Sequence, residues 1–179
     1  LVHSPAFDFS VWELWGPLTS GGRVVVLTSD EVRDPAAIER VLREERVTVL
    51  NQTPAAFKGL RAHLAQQGTD FADLALRTVV FGGDAFDVRD YADWFAAPEG
   101  KPALVNMYGI TETTVHVTYR LITAADLTAG VRSPIGRPLA GQHGYVSETT
   151  DKVRLLDLPV ADEVLDRLGA SGRERWAGA

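Results

Sequence analysis

The sequence predicts an α/β fold in which a parallel β-sheet is joined by crossover helices. Short runs of β-branched and apolar residues alternate along the chain with segments of helical periodicity. The helical segments span roughly 10 to 15 residues, the usual length of a crossover between parallel strands. Two of them begin with a capping residue followed directly by proline, which is typical of helix N-termini.

Four runs are predicted as strands because they are short, rich in Val, Leu or Phe, and bounded by turn residues or helix caps. They are 24–27, 47–52, 77–81 and 103–108. The first follows a glycine pair and is expected to be a buried strand.

Helices are predicted between these strands from their caps and apolar faces. Asp34 is expected to cap a helix that begins at Pro35, and Thr53 a helix that begins at Pro54 and stops at Gly68. Their apolar faces are formed by Ile38, Val41 and Leu42 and by Phe57, Leu60 and Leu64. Further helices are expected at 88–97 and from Ser10 onward.

Ligands of such sheets bind at the carboxyl ends of the strands, where the loops begin. That rule selects four segments: 7–10, 51–54, 81–85 and 106–113.

Composition limits the class of function. The chain has a net charge of −6 and a pI near 5.2, and its basic residues are interleaved with acidic ones, so nucleic acid is not expected as a partner. No apolar run approaches the roughly 20 residues that cross a bilayer, and no signal peptide is recognised, so no membrane partner is expected. The absence of cysteine excludes disulfides and fits the cytoplasm. Leu1 opens directly in patterned sequence, which suggests a piece of a longer protein.

Two loops offer groups that suit a nucleotide. Gly82 and Gly83 would let a flat ligand approach the backbone, although a tight strand-to-helix turn is the simpler explanation of this pair alone. In 106–114, Tyr108 beside Gly109 can stack a purine, and Asn106 offers both a donor and an acceptor to an exocyclic amine.

The same segment carries groups for phosphate and metal. Thr111 can donate to a phosphate oxygen, and Glu112 is a hard oxygen ligand suited to magnesium. A threonine-rich β-segment with one exposed acid is the alternative explanation of these residues.

Asp8 lies between two phenylalanines, with Trp12 four residues on. An acid among aromatic rings is costly to desolvate unless a cation pairs with it. Two explanations stay open: Asp8 caps the following helix by accepting backbone N–H bonds, or it holds the ammonium group of a ligand. The four histidines carry little signal on their own: His3 and His143 have no partner at metal-ligand spacing, and His63 is expected at the surface.

Together these segments resemble the adenylation domains of nonribosomal peptide synthetases, within the adenylate-forming, AMP-binding superfamily. FDFSVWE resembles the substrate-aspartate motif of that family, and PIGRPLAG resembles its G-R-P segment. NMYGITET resembles the nucleotide motif N-x-Y-G-P-T-E, with Ile110 in place of the proline. The resemblance implies a fragment of the large N-terminal domain of an adenylate-forming enzyme. It assigns 1–142 to the core part of the adenylation domain and leaves 143–179 as a divergent or truncated tail, where two short strands and a helix are expected.

The resemblance implies activation of an amino acid by ATP with Mg²⁺, giving an aminoacyl-AMP. The acyl group would then pass to the phosphopantetheine thiol of a peptidyl carrier protein. A condensation domain of the same assembly line is expected as a further partner, and an MbtH-like protein as an optional activating one.

Site residues carry over by matching motifs. The nucleotide would be bound by Gly82, Gly83, Asp84, Asn106, Tyr108, Gly109 and Thr111, and magnesium by Glu112. The amino-acid pocket would be lined by Asp8, Phe9, Trp12, Asn51, Val80, Gly82, Met107, Val115 and His116. Asp8 would pair with the α-ammonium group of the substrate.

That pocket combination resembles one associated with threonine. Its rings leave a small apolar space for a β-methyl group, and His116 and Asn51 can bond a β-hydroxyl group. Serine is the harder competitor to reject, because one missing methyl group changes binding by only about 1–3 kcal/mol.

The catalytic lysine of the family lies outside this chain, so no catalytic residue is assigned and the isolated chain is expected to be inactive. Two alternatives remain. An acyl- or aryl-CoA ligase would share the nucleotide motif without needing Asp8, and a non-catalytic fragment would only bind the substrate.

Overall fold

The computed structural model describes residues 1–113 and 115–140, together with the backbone of two short strands beyond them. The helices are α1 (Phe9–Thr19), α2 (Ser29–Arg33), α3 (Pro35–Glu44), α4 (Pro54–Gln67) and α5 (Ala92–Ala96). The strands are β1 (Val49–Gln52), β2 (Thr78–Phe81), β3 (Ala103–Asn106), β4 (Thr118–Leu121), β5 (Arg137–Pro138), β6 (Gly144–Ser147) and β7 (Lys152–Leu155). Short 3-10 turns lie at Phe71–Asp73, Val88–Tyr91, Thr111–Thr113 and Ala124–Leu127.

Strands β1 to β5 form one sheet in chain order. β1, β2 and β3 are parallel, with Asn51 beside Val80 and Val80 beside Val105. Helical segments connect these three strands, so the predicted α/β fold is confirmed. β4 and β5 run antiparallel and were not predicted. The connection from β3 to β4 contains no crossover helix, and a short connection of this kind reverses the chain direction.

The predicted strand at 24–27 is wrong. This run does not belong to the sheet, and the side chain of Val26 is 68% exposed. Within the described residues its backbone bonds are to the first residue: the amino group of Leu1 donates to the Val25 carbonyl, and the Leu27 N–H donates to the Leu1 carbonyl. A run with high β-propensity forms a strand only where a neighbouring strand pairs along its length.

Both cap-plus-proline predictions are confirmed. The Asp34 side chain accepts a hydrogen bond from the Ala36 N–H at 3.0 Å, and Thr53 accepts one from the Ala56 N–H at 3.3 Å. These bonds satisfy amides that a helix leaves unpaired in its first turn. Gly68 ends α4 with a φ of 66°, a left-handed conformation that glycine adopts at little cost.

Two other helix predictions and one prediction of exposure are corrected. The helix expected at 88–97 is a 3-10 turn up to Tyr91 and α-helical only over α5. The helix expected from Ser10 begins at Phe9.

His63 was expected at the surface, but its side chain is only 19% exposed. Its Nε2 lies 2.8 Å from Glu39 Oε2, so the pair joins α3 to α4.

The hydrophobic core lies on one face of the sheet. Its buried residues are Ile38, Leu42, Leu50, Phe57, Leu60, Leu64, Phe71, Leu76, Val79, Phe81, Phe86, Val88, Tyr91, Trp94, Leu104 and Ile122. The opposite face carries a smaller cluster of Val80, Val105 and Met107, packed against Trp12 and Leu139. The two clusters separate because neighbouring side chains on a strand point to opposite faces.

Beyond residue 140 the structure describes only β6 and β7, which pair antiparallel and correspond to the two short strands expected in the tail. The helix expected there, with Val160, Val164 and Leu168 on one face, lies outside the described residues, as does His143. No helix in the described part of the chain is long and apolar enough to cross a bilayer.

Candidate functional site

The structure brings the predicted pocket residues to one place, at the carboxyl ends of the parallel strands and on the face opposite the core. They are Asp8, Phe9 and Trp12 at the start of α1, Asn51 on β1, Val80 and Gly82 at the end of β2, and Met107, Val115 and His116 between β3 and β4. The indole Nε1 of Trp12 donates to Asn51 Oδ1 at 3.0 Å, which ties α1 to the end of β1.

Aromatic rings surround His116. The centroid of the Phe9 ring lies 4.8 Å from that of the imidazole at an angle of 89°, and the centroid of Trp12 lies 5.5 Å away at 81°. Both rings therefore meet His116 edge to face. Val80 and Met107 add an apolar surface beside Trp12. A small set of polar groups within mostly apolar walls is typical of a ligand pocket.

His116 is a buried polar side chain without a partner. Only 7% of its surface is exposed, and within the described residues neither Nδ1 nor Nε2 has a hydrogen-bond partner. Burial lowers the pKa of His116 from 6.5 to about 4. The negative charge of Asp8 raises this pKa, but by less than burial lowers it, and the charge of His3 lowers it further. The imidazole is therefore neutral near pH 7, with one donor and one acceptor available. A buried pair of unsatisfied polar atoms calls for an explanation, and a bound ligand supplies one.

Asp8 does not use its carboxylate to cap α1. It occupies the N-cap position, but its backbone is helical, with a φ of −59° and a ψ of −27°, and its side chain accepts no capping hydrogen bond. The capping explanation is therefore wrong. The side chain is half-buried and near enough to His116 to affect the pKa of that imidazole. Its carboxylate is thus available to a cationic group that enters beside His116.

Gly82 allows the two rings to approach the end of β2. A Cβ atom at this position would lie 3.0 Å from Cε1 of His116 and 3.2 Å from Cζ of Phe9. Both distances are tighter than ordinary carbon contacts, so any larger residue would displace at least one ring. The absence of a side chain at Gly82 therefore lets both rings pack closely against the end of β2.

The loop that returns His116 to the pocket is tightly packed and strained. A Cβ atom on Gly109 would lie 1.9 Å from the Val115 carbonyl oxygen, so only glycine fits there. Val115 has a φ of 71°, which is unusual for a β-branched residue and costs conformational energy. The Tyr108 carbonyl accepts from the Val117 N–H at 2.8 Å and so fixes the start of β4.

The predicted nucleotide residues lie along the same edge of the sheet. Tyr108 and Gly109 are half-buried, Gly83 and Asp84 are exposed, and Asn106 is buried. The amide Nδ2 of Asn106 donates to the Pro134 carbonyl at 2.9 Å. Its Oδ1 is the atom that could accept from an exocyclic amine, so the existing bond is compatible with the predicted role.

Thr111 and Glu112 are exposed in a 3-10 turn. Among the described residues no three His, Asp or Glu side chains are grouped so that they could hold a metal ion. A single carboxylate fits magnesium that arrives with nucleotide phosphates, because this ion is commonly held by one or two carboxylates plus phosphate oxygens. A single carboxylate does not fit a metal ion that is held by protein ligands alone.

A cavity of about 470 Å³ lies elsewhere, between α1, the 22–27 run, α3 and β1. Its lining includes Trp12 and Asn51 but neither Asp8 nor His116. We place the candidate site at His116 because, among the described residues, both nitrogens of this one buried imidazole lack partners and the predicted pocket residues surround it.

Two residues beside the pocket were not predicted. His3 lies against Phe9, with ring centroids 4.2 Å apart, and its Nδ1 is 3.3 Å from the Glu13 carboxylate. Sequence spacing gave no signal for these contacts, because they depend on how residues 1–8 fold back on α1.

Comparison with known proteins adds a family context. A family model described as AMP-binding enzyme matches residues 1–155. Syringomycin synthase SyrB1 of Pseudomonas syringae pv. syringae is 48% identical over 142 residues, which are 79% of this chain and 23% of that protein. The dimodular nonribosomal peptide synthase of Bacillus subtilis (strain 168) is 52% identical over 120 residues, which are 66% of this chain and 5% of that protein. The chain thus spans less than a quarter of either relative.

The fold is also similar to a solved structure. The nonribosomal peptide synthetase FmoA3, in its α-methyl-L-serine-AMP bound form, aligns with a TM-score of 0.65 and 30% identity. The alignment covers 79% of this chain and 16% of that one.

Proposed function

The chain belongs to the AMP-binding enzyme family, and from that premise we propose that it forms the amino-acid pocket of an adenylation domain in a nonribosomal peptide synthetase, with threonine as its substrate. The observation that carries this proposal is the buried imidazole of His116, whose two nitrogens lack partners among the described residues while the Asp8 carboxylate lies nearby. The pair offers a hydroxyl-binding group and an ammonium-binding group in one pocket.

The pocket favours a small side chain that is apolar on one side and polar on the other. Phe9, Trp12 and Met107 form the wall against which a β-methyl group would rest. His116 would bond the β-hydroxyl group, and Asp8 would pair with the α-ammonium group. Asn51 already accepts from Trp12, so its role is to hold that ring and to offer its amide N–H groups.

The relatives support an amino-acid substrate. The Bacillus subtilis relative and FmoA3 are nonribosomal peptide synthetases, and the ligand of FmoA3 is the adenylate of α-methyl-L-serine, itself a β-hydroxy amino acid. The alternative of an acyl- or aryl-CoA ligase gives the uncapped Asp8 carboxylate no role. We therefore favour amino-acid activation over that alternative.

The proposed reaction is attack of a substrate carboxylate oxygen on the α-phosphorus of ATP. The bond from that phosphorus to the bridging oxygen breaks, and pyrophosphate leaves. Tyr108 and the backbone at Gly82 and Gly83 would hold the adenine, and Thr111 would donate to the α-phosphate. Magnesium bound through Glu112 and the phosphates would neutralise charge that develops on the phosphate oxygens. Positioning of the two substrates is the contribution of these residues.

We propose that this chain supplies only part of the machinery. The aminoacyl-AMP would pass its acyl group to the phosphopantetheine thiol of a carrier protein, and a condensation domain would use the product. An MbtH-like protein is proposed as an optional activating partner, and the cytoplasm, where ATP is available, as the location. The residues 1–179 alone are expected to show no threonine-dependent exchange of pyrophosphate into ATP.

The test is an amino-acid panel measured by ATP–pyrophosphate exchange on the complete domain that contains this chain. Threonine is expected to give the highest kcat/KM. The kcat/KM for valine is expected to be lower by at least about 30-fold, because valine lacks the β-hydroxyl group and would leave the polar groups of the pocket unpaired. A higher kcat/KM for alanine, valine or phenylalanine would refute the threonine assignment.

Asp8→Ala separates the amino-acid hypothesis from the ligase alternative. Loss of a charged hydrogen bond of about 1.5–3 kcal/mol should lower kcat/KM for threonine about 10- to 150-fold. The matched control is 3-hydroxybutanoate, the same acid without the amino group, whose weak activation should be unchanged by the substitution. Equal loss for both compounds would show that Asp8 does not bind the ammonium group.

A further inference from the structure

One turn after Phe9 on α1 lies a buried acid that the proposed reaction does not use. The side chain of Glu13, on α1, is 1% exposed. Its carboxylate accepts hydrogen bonds from the N–H of Val2 at 3.2 Å and from the N–H of His3 at 3.0 Å. A buried carboxylate is costly unless such partners compensate it, so these bonds hold residues 2 and 3 firmly against α1.

The imidazole of His3 extends this contact to Phe9. Its Nδ1 lies 3.3 Å from Glu13 Oε2, and its ring centroid lies 4.2 Å from that of Phe9 at an angle of 44°. Phe9 in turn meets His116 edge to face at 4.8 Å. A continuous set of contacts therefore runs from the Glu13 carboxylate, through His3 and Phe9, to the imidazole in the pocket.

We propose that Glu13 and His3 are a positioning pair that fixes the Phe9 ring against His116 and so sets the size of the amino-acid pocket. This inference rests on the proposed function for its effect on substrate choice, but the positioning itself does not depend on it. Neither residue is proposed to touch the substrate.

The proposal follows from the contacts that limit rotation of the Phe9 ring. On the pocket side it is confined by the backbone of Gly82, where a Cβ atom would lie only 3.2 Å from Phe9 Cζ, and by His116. The imidazole of His3 also contacts it, with ring centroids 4.2 Å apart. Without that imidazole the ring could turn into the vacated space, which would widen the pocket and release the edge-to-face contact with His116.

The first experiment measures positioning without any activity. In the 179-residue chain, the Cε1–H signals of its four histidines can be followed by ¹H–¹³C NMR. The His116 signal is displaced by the ring current of Phe9, because the two rings are in contact. His3→Ala should move this signal, and His3→Phe, which keeps a ring beside Phe9, should leave it closer to its original position. Glu13→Gln should move it in the same direction as His3→Ala, by a smaller amount.

The chain offers a matched control. His63 and Glu39 form a second imidazole–carboxylate pair, with Nε2 and Oε2 2.8 Å apart, at the contact of α3 with α4. His63→Ala removes an imidazole of the same kind and should leave the His116 signal in place. If His3→Ala leaves the His116 signal unmoved, or if His63→Ala moves it equally, the positioning role is refuted.

The second experiment measures substrate choice in the complete domain. His3→Ala should lower the ratio of kcat/KM for threonine over leucine by about 10-fold, since a wider pocket rejects extra methylene groups less well. His3→Phe should keep most of the ratio, and His63→Ala all of it. An unchanged ratio in His3→Ala would overturn the effect on specificity. A wild-type domain that activates no amino acid would refute the proposed function instead, and the NMR result would still decide the positioning.

Discussion

The two faces of the sheet are built differently, although they share the same strands. On the core face, Phe57 contacts the rings of Phe71, Phe81, Tyr91 and Trp94, and both Phe57 and Phe81 are fully buried. On the site face only three apolar residues form the cluster, and a buried histidine beside it has no hydrogen-bond partner among the described residues.

This difference indicates that the core face stabilises the fold, whereas the site face is arranged for binding. A face whose groups are all apolar and packed gains stability from every contact. A face that buries unpaired nitrogen atoms loses stability there, and this loss is explained if a ligand supplies the missing partners. Substitutions on the core face should therefore change stability most, and substitutions on the site face should change stability less and binding more.

The largest effect is expected on the core face. Phe57→Ala should lower the free energy of unfolding by about 3–5 kcal/mol, because it removes a ring from the centre of a packed aromatic cluster and leaves a cavity. Val80→Ala, on the site face of β2, should cost only about 1–2 kcal/mol, since it removes two methyl groups from a small cluster. Urea denaturation followed by circular dichroism gives both values. Equal losses of unfolding free energy would mean that the two faces contribute equally to stability.

The sequence predicted the core face better than the site face, and the reason is physical. Caps such as Thr53 and stops such as Gly68 act within one turn, so their residue types alone locate α4. Strands β1 to β3 follow from runs of β-branched and apolar residues. The run at 24–27 has the same composition but no paired neighbour, and composition cannot report pairing.

For the proposed site, the motifs pointed to Asp8 and His116 but not to the contacts that hold the surrounding residues in place. The bond from Trp12 to Asn51 and the contact of His3 with Glu13 join residues that approach only after the chain has folded. The positive φ of Val115 likewise arises because the chain must turn sharply against Gly109. None of these follows from residue type or spacing.

The second prediction concerns the pH dependence of stability. Burial lowers the pKa of His116 to about 4 in the folded state, against 6.5 in the unfolded state, so the unfolded chain binds more protons between these values. The contribution of this group is fully present above pH 6.5 and falls as the pH decreases towards 4, by roughly 3 kcal/mol in all. His116→Leu should abolish that part of the pH dependence.

At pH 7 the same substitution should leave the chain as stable as the wild type or more stable by about 1 kcal/mol, because it removes two buried nitrogens that have no partner in the described part of the chain. Threonine activation by the complete domain should fall in the same variant. Unfolding curves of both proteins between pH 4 and pH 7 provide the measurement. If the two proteins lose stability in parallel over this range, His116 is not the buried neutral group that we describe.

The smallest effect tests Gly82 against a glycine outside the site. Gly82→Ala places a Cβ atom 3.0 Å from the His116 ring and 3.2 Å from the Phe9 ring, and it should cost about 1–3 kcal/mol of unfolding free energy, as overpacked positions do. Gly59 lies in α4, exposed, with no atom within 4 Å of its added Cβ, so Gly59→Ala should stabilise the chain by about 0.5–1 kcal/mol through helix propensity. The same added methyl group thus changes sign between the two positions. Because the clash at Gly82 involves the pocket rings, it should also weaken threonine activation, whereas Gly59→Ala should not change that activity.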